Sequence, residues 1–62
     1  MNYWELRNLR FSLGLKQCDV AAQLGVGPSV LVQFELYGLP LPGKGVKEKQ
    51  YEEILAEAEE AK

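Results

Sequence analysis

The chain has 62 residues, 26% of them charged, and a formal charge of −2, which leaves room for one small domain. Its single cysteine, Cys18, rules out an internal disulfide, and the absence of His excludes a His/Cys zinc site and any Ser–His or Cys–His nucleophile pair. A domain this small buries only about 60% of the surface its unfolded chain exposes, so subunit association is one route to added stability.

Asn2 followed by Glu5 is a helix-opening pair, with Asn as cap and Glu reaching back. Tyr3, Leu6, Leu9 and Leu13 then recur at helical spacing, and Gly14 supplies a left-handed stop. The first helix is expected over about residues 3–13. Trp4 and Phe11 lie one heptad apart and off that stripe. They are expected to edge the core or cover the C-terminal helix, with an exposed contact for a partner as the alternative.

The second helix is expected from Gln17 to Leu24, where Gly25 breaks it. Val26 points inward, Gly27 serves as N-cap, and Pro28 suits the first position of a third helix. That helix runs to about Tyr37 and ends at Gly38. In "LPLPG", residues 39–43, Pro40 and Pro42 hold the chain extended. From Lys44 onward, "KGVKEKQYEEILAEAEEAK" is rich in helix formers, with Val46, Tyr51, Ile54, Leu55 and Ala58 giving a moderately apolar side. The expected fold is all-α: a compact helix-turn-helix domain of three short helices over residues 1–43, ending in the Pro-rich linker. A longer C-terminal helix over residues 44–62 packs on it or mediates association.

The segment "QCDVAAQLGVGPSVLVQFEL", residues 17–36, carries most of the meaning. Two helices crossing at a tight turn need a small residue at the crossing, here Ala21, and a positive φ in the turn, here Gly25. Val20, Leu24, Val26, Leu31 and Phe34 fill the wedge between them. With "LRNLRFSLGLKQCDVAAQLGV" and then "VLVQFE", the chain resembles the lambdoid phage repressor and Cro family of helix-turn-helix proteins over roughly residues 5–38. "LGLKQ" is similar to the family's short turn into the Gln that opens its second helix.

The resemblance implies a DNA-binding transcriptional regulator that reads operator DNA with its third helix. Such proteins often act as dimers and are often encoded by phages, plasmids or other mobile elements. Gly27, Pro28, Ser29 and Gln33 would face base edges in the major groove. Gln17 would face a backbone phosphate, and Arg7, Lys16 and the cluster of Lys44, Lys47 and Lys49 would supply further phosphate anchors. Arg10 and Glu35 fall where the family often has a buried ion pair joining its first and third helices, a structural role. Elementary chemistry agrees with part of this. A helix N-terminus offers unpaired amides and partial positive charge to an anion, and Gln33 can make a bidentate contact with adenine. Thymine methyl contacts would fall to Val30 or Val32.

Other features point to a different use of the same shape. Residues 1–43 balance three basic against three acidic residues, and residues 44–62 set four Lys against six Glu, whereas nucleic-acid binders usually carry a basic patch. Gly27 and Pro28 have no side-chain donor, and no Arg stands on the third helix. Val32, Leu36 and Tyr37 would form an apolar outer face, as in the centre of a protein interface. The alternative is therefore a protein-interaction module, an anti-activator or anti-repressor whose partner is a transcription factor or polymerase subunit. No nucleophile–base pair, phosphate loop or metal-ligand cluster is visible, and Cys18 has no second thiol beside it. The chain reads as a non-enzyme without cofactor. No stretch approaches the roughly 18 apolar residues of a membrane span. Charges in "MNYWELRNLR" replace the apolar core of a secretory signal, so a cytoplasmic location without membrane contact is expected.

Overall fold

In the computed structural model, which describes residues 2–61, the fold is all-α, with four helices and no strand among those residues. Helix α1 (Tyr3–Ser12) opens where Glu5 accepts the Asn2 backbone amide at 2.9 Å. Leu13 closes it and Gly14 reverses the chain at φ 73°. Helix α2 (Gln17–Leu24) ends on Gly25, also at φ 73°, whose amide bonds back into the last turn. Helix α3 (Pro28–Tyr37) starts on Gly27 with Pro28 in its first turn and stops at Gly38. Helix α4 (Val46–Glu60) follows a turn in which Gly43, Lys44 and Gly45 all take positive φ.

Both α1 and α2 pack against α3 and α4, so the core lies where the four meet. Leu6 from α1, Val20, Ala21 and Leu24 from α2, Leu31 and Phe34 from α3, and Tyr51 and Leu55 from α4 are buried there together. Burying a side chain of Leu size stabilises by about 1.5–3 kcal/mol against leaving it exposed. Tyr3 and Tyr51 flank the Phe34 ring, with centroids at 6.4 and 6.1 Å. The terminal helix thus shares the core of the first three.

Two expectations need correction. Trp4 and Phe11 do not join the core; they are 48% and 66% exposed. The inward stripe of α1 is already filled by Leu6 and the rim residues Tyr3, Leu9 and Leu13, and Trp4 and Phe11 point away from it. The linker is also more than a spacer, because Leu41 is buried in the core. Its amide donates to Glu48 Oε2 at 3.2 Å, which ties the extended segment to the first turn of α4.

Candidate nucleic-acid interface

One buried carboxylate organises the polar side of the molecule. Arg10 Nε and Nη2 donate to Glu35 Oε2 and Oε1 at 2.8 and 2.9 Å, a bidentate ion pair with side chains only 4% and 0% exposed. Arg10 Nη1 donates to the Leu15 carbonyl at 2.8 Å, fixing the link between α1 and α2. Gln17 Nε2 donates to Glu35 Oε1 at 2.8 Å, and the Tyr51 hydroxyl donates to Glu35 Oε2. One residue of α3 therefore accepts from α1, α2 and α4 at once.

The ionisation of the group follows from these bonds. Burial pushes the Glu35 carboxyl up, but the bonds from Arg10, Tyr51 and Gln17 outweigh it and hold the group below its ordinary value. Burial and the bond to Glu35 together push the Tyr51 hydroxyl well above its ordinary value. Burial works against the Arg10 charge, and the carboxylate more than compensates. The exposed face of the guanidinium is covered by the Phe11 ring, whose centroid lies 4.5 Å from Arg10 Cζ.

Above this cluster lies an open cleft of about 610 Å³, lined among others by Arg7, Phe11, Lys16, Gln17 and Leu36. Lys16 is the N-cap of α2, and its side chain makes no capping bond. The first-turn amides of α2, which like those of any helix have no intrahelical acceptor, therefore gain none from the cap either, beside the two cations. Leu36 carries the cleft onto the outer surface of α3. With Glu35 and Leu31 pointing inward, a turn of about 100° per residue puts Ser29, Gln33 and Leu36 on the opposite side. Ser29, Gln33, Leu36 and Tyr37 are exposed and Val32 is half-buried. Gly27 and Pro28 are exposed at the start of the same helix. Val30 instead packs on the rim of the core.

The proposed phosphate anchors divide. Arg7 and Lys16 line the cleft together. Lys44 is exposed in the turn before α4, and Lys49 is exposed on α4. The side-chain amide of Gln17 does not face outward, because it is bonded to Glu35; only its backbone amide remains at the start of α2. Lys47 also turns inward, and its amine donates to the Leu24 carbonyl at the C-terminal end of α2. A cation there complements the helix dipole and a carbonyl that lacks an intrahelical donor. Lys47 therefore complements the C-terminal end of α2, whereas the Lys16 charge opposes the dipole at its N-terminal end.

Sequence reasoning missed the part of Tyr51 in the Glu35 cluster and that of Phe11 over the guanidinium. No local pattern marks either: Tyr51 lies sixteen residues from Glu35, and the neighbouring guanidinium comes to lie over Phe11 only where Glu35 holds it. Among the described residues, no helix is long and apolar enough to cross a membrane, and no group of three His, Cys, Asp or Glu is placed to hold a metal ion. No family model matches the chain, nor does any curated protein or solved structure.

Proposed function

We propose that the chain is a small DNA-binding transcriptional regulator that reads operator DNA with α3. The observation that carries the proposal is the cleft in which Arg7, Lys16 and the uncapped start of α2 lie together, continuous through Leu36 with the outward face of α3. A phosphate seated there meets two cations and the positive end of a helix. The neighbouring base edges then face Ser29 and Gln33. The resemblance to phage repressors and Cro proteins points the same way. Helix-turn-helix dimers engage two half-sites centred roughly 34 Å apart. Two copies on a paired site would multiply affinity.

The test is a fluorescence-anisotropy titration of the full chain with mixed-sequence and genomic-neighbour duplexes across a salt series. Arg7, Lys16 and Lys44 as anchors give a slope of log affinity on log salt of about −3 per copy, and about −5 for a pair. Lys16→Ala should weaken all duplexes alike and reduce the slope by about 1. Absence of association at low salt ends the proposal.

A second reading is favoured by the exposure of Leu36 at 52% and Tyr37 at 70%. On that reading the face of Val32, Leu36 and Tyr37 docks on a transcription factor or polymerase subunit, and the chain acts without touching DNA. Leu36→Glu would then abolish partner binding, and affinity for DNA would be negligible in parent and variant alike.

A further inference from the structure

We infer that the duplex taken by α3 is specified by A·T pairs, with adenine held by the Gln33 carboxamide and thymine C5-methyl groups seated on Val32 and Leu36. The inference rests on the DNA reading above and deepens it by naming the bases.

Each base pair offers the major groove a different chemistry. Guanine shows two acceptors and is best held by a cationic fork; cytosine shows a donor and is best held by a carboxylate. The solvent face of α3 supplies neither. Besides Pro28 and Val30, whose side chains hold no polar atom, its exposed or half-buried side chains are Ser29, Val32, Gln33, Leu36 and Tyr37. No cation stands on α3, and its one acid, Glu35, is sealed from solvent with both oxygens engaged. Arg7 and Lys16 belong to α1 and to the link before α2, in the cleft suited to phosphate.

What remains on α3 matches the other pair. A carboxamide presents a donor and an acceptor side by side, the complement of adenine N6 and N7. Thymine alone offers the major groove a methyl group, and apolar carbon is its natural contact. At about 100° per residue, Ser29, Gln33 and Leu36 fall within an arc of about 60°, and Val32 lies about 40° beyond Leu36. Tyr37 lies about 40° beyond Gln33 on the other edge. This surface therefore carries one amide, two hydroxyls and two aliphatic side chains, and the Tyr37 hydroxyl, like that of Ser29, favours neither type of pair. Ser29 bonds either type of pair and leaves the preference unchanged.

The experiment selects duplexes from a randomised library with the full chain at low salt, then replaces thymine by deoxyuridine, one position at a time, in the enriched sequence. Enriched duplexes should carry A·T pairs at the contacted positions. Each contacted thymine changed to uridine should weaken binding about fourfold, the effect of burying about one methylene less. Gln33→Ala, an exposed substitution, should flatten the adenine preference at one position by about tenfold or more. Leu36→Asn should erase the thymine–uridine difference at its own position. Enrichment of G·C pairs at the contacted positions, or equal binding of every uridine duplex, overturns this inference and leaves the DNA reading standing. No binding of any duplex overturns both.

Discussion

Arg10→Met tests the buried ion pair. In the parent, Arg10 supplies two of the four hydrogen bonds to Glu35 and, among the described residues, its counter-charge. The variant fills similar space but leaves a carboxylate with no exposure and two neutral donors. Breaking a buried pair on one side costs about 3–5 kcal/mol. Small domains hold about 0.05–0.15 kcal/mol per residue, hence about 3–9 kcal/mol for this chain. Urea unfolding followed by far-UV circular dichroism should therefore show Arg10→Met about 3–5 kcal/mol less stable than the parent, the whole of the parent's stability where that is about 3 kcal/mol and about a third to a half of it where it is about 9 kcal/mol. The triple variant Arg10→Met, Glu35→Leu, Tyr51→Phe removes both charges and the buried hydroxyl, and lets Gln17 turn to water. It should recover to within about 1–2 kcal/mol of the parent, because apolar replacement of a buried pair is often neutral. A single variant within about 1 kcal/mol of the parent would refute the premise that the carboxylate is desolvated. A triple variant as unstable as the single one would place the cost in lost shape rather than in stranded charge.

Tyr51→Phe leaves the ionised Glu35 one donor short and should cost about 1.5–3 kcal/mol near neutral pH. The Tyr51 hydroxyl is raised in the folded state, so its contribution is complete below its unfolded value of about 10 and is lost as pH rises toward the folded one; urea midpoints should fall above about pH 10 in the parent and less in Tyr51→Phe. The Glu35 carboxyl is lowered, so its contribution is complete above its unfolded value of about 4.3 and is lost as pH falls through the folded one. Tyr51→Phe should shrink that acid loss, read from the same midpoints. Gly38→Ala should cost more than Gly14→Ala although both glycines have nearly the same φ, 71° and 73°. A Cβ at Gly38 would sit 2.7 Å from the Tyr3 ring, and one at Gly14 meets nothing within 4 Å. Thermal melts should therefore show about 1–2 kcal/mol of left-handed strain at both sites and a further loss only at Gly38. Leu41→Ala should cost about 2–5 kcal/mol in the same assay, as a core residue does, and a cost under about 0.5 kcal/mol, typical of a surface site, would return the linker to a spacer.

The helices were legible because their ends are local. Gly25 and Gly38 mark left-handed stops, Gly27 and Pro28 mark an opening, and the apolar spacing between them has the helical period. Gln17–Leu24 and Pro28–Tyr37 follow from such signals alone. What lay beyond reach is tertiary. Lys47 and Lys16 look alike in sequence, yet one reaches the Leu24 carbonyl and the other lines the cleft. Gln17 resembles a phosphate ligand until Glu35, placed by a helix eighteen residues away, takes its amide. Phe11 has the composition of a core residue, but the stripe of α1 was full and a guanidinium lay beside it. For Gln17 and Lys47 the partner is brought up by another helix, and for Phe11 the position of the neighbouring guanidinium is set by Glu35 of α3, so each outcome is decided only once the helices are packed.

The Glu35 cluster bears on the candidate interface through orientation more than through stability. An apolar contact between α3 and its neighbours would tolerate rotation of the helix, since Leu31 and Phe34 can slide against other apolar surface. A carboxylate that must meet Arg10, Gln17 and Tyr51 at hydrogen-bond distance tolerates little, because each displaced bond leaves a buried polar group unpaired. Pinning Glu35 inward fixes Ser29, Gln33 and Leu36 outward, and the same carboxylate sets the start of α2 through Gln17. We advance the hypothesis that the cluster is retained for this registry. The triple variant separates the two roles: its stability should be near that of the parent, while amide resonances of Ser29, Gln33 and Leu36 should broaden as α3 samples several rotations. Sharp, parent-like resonances for those residues would mean that apolar packing alone holds α3 in place.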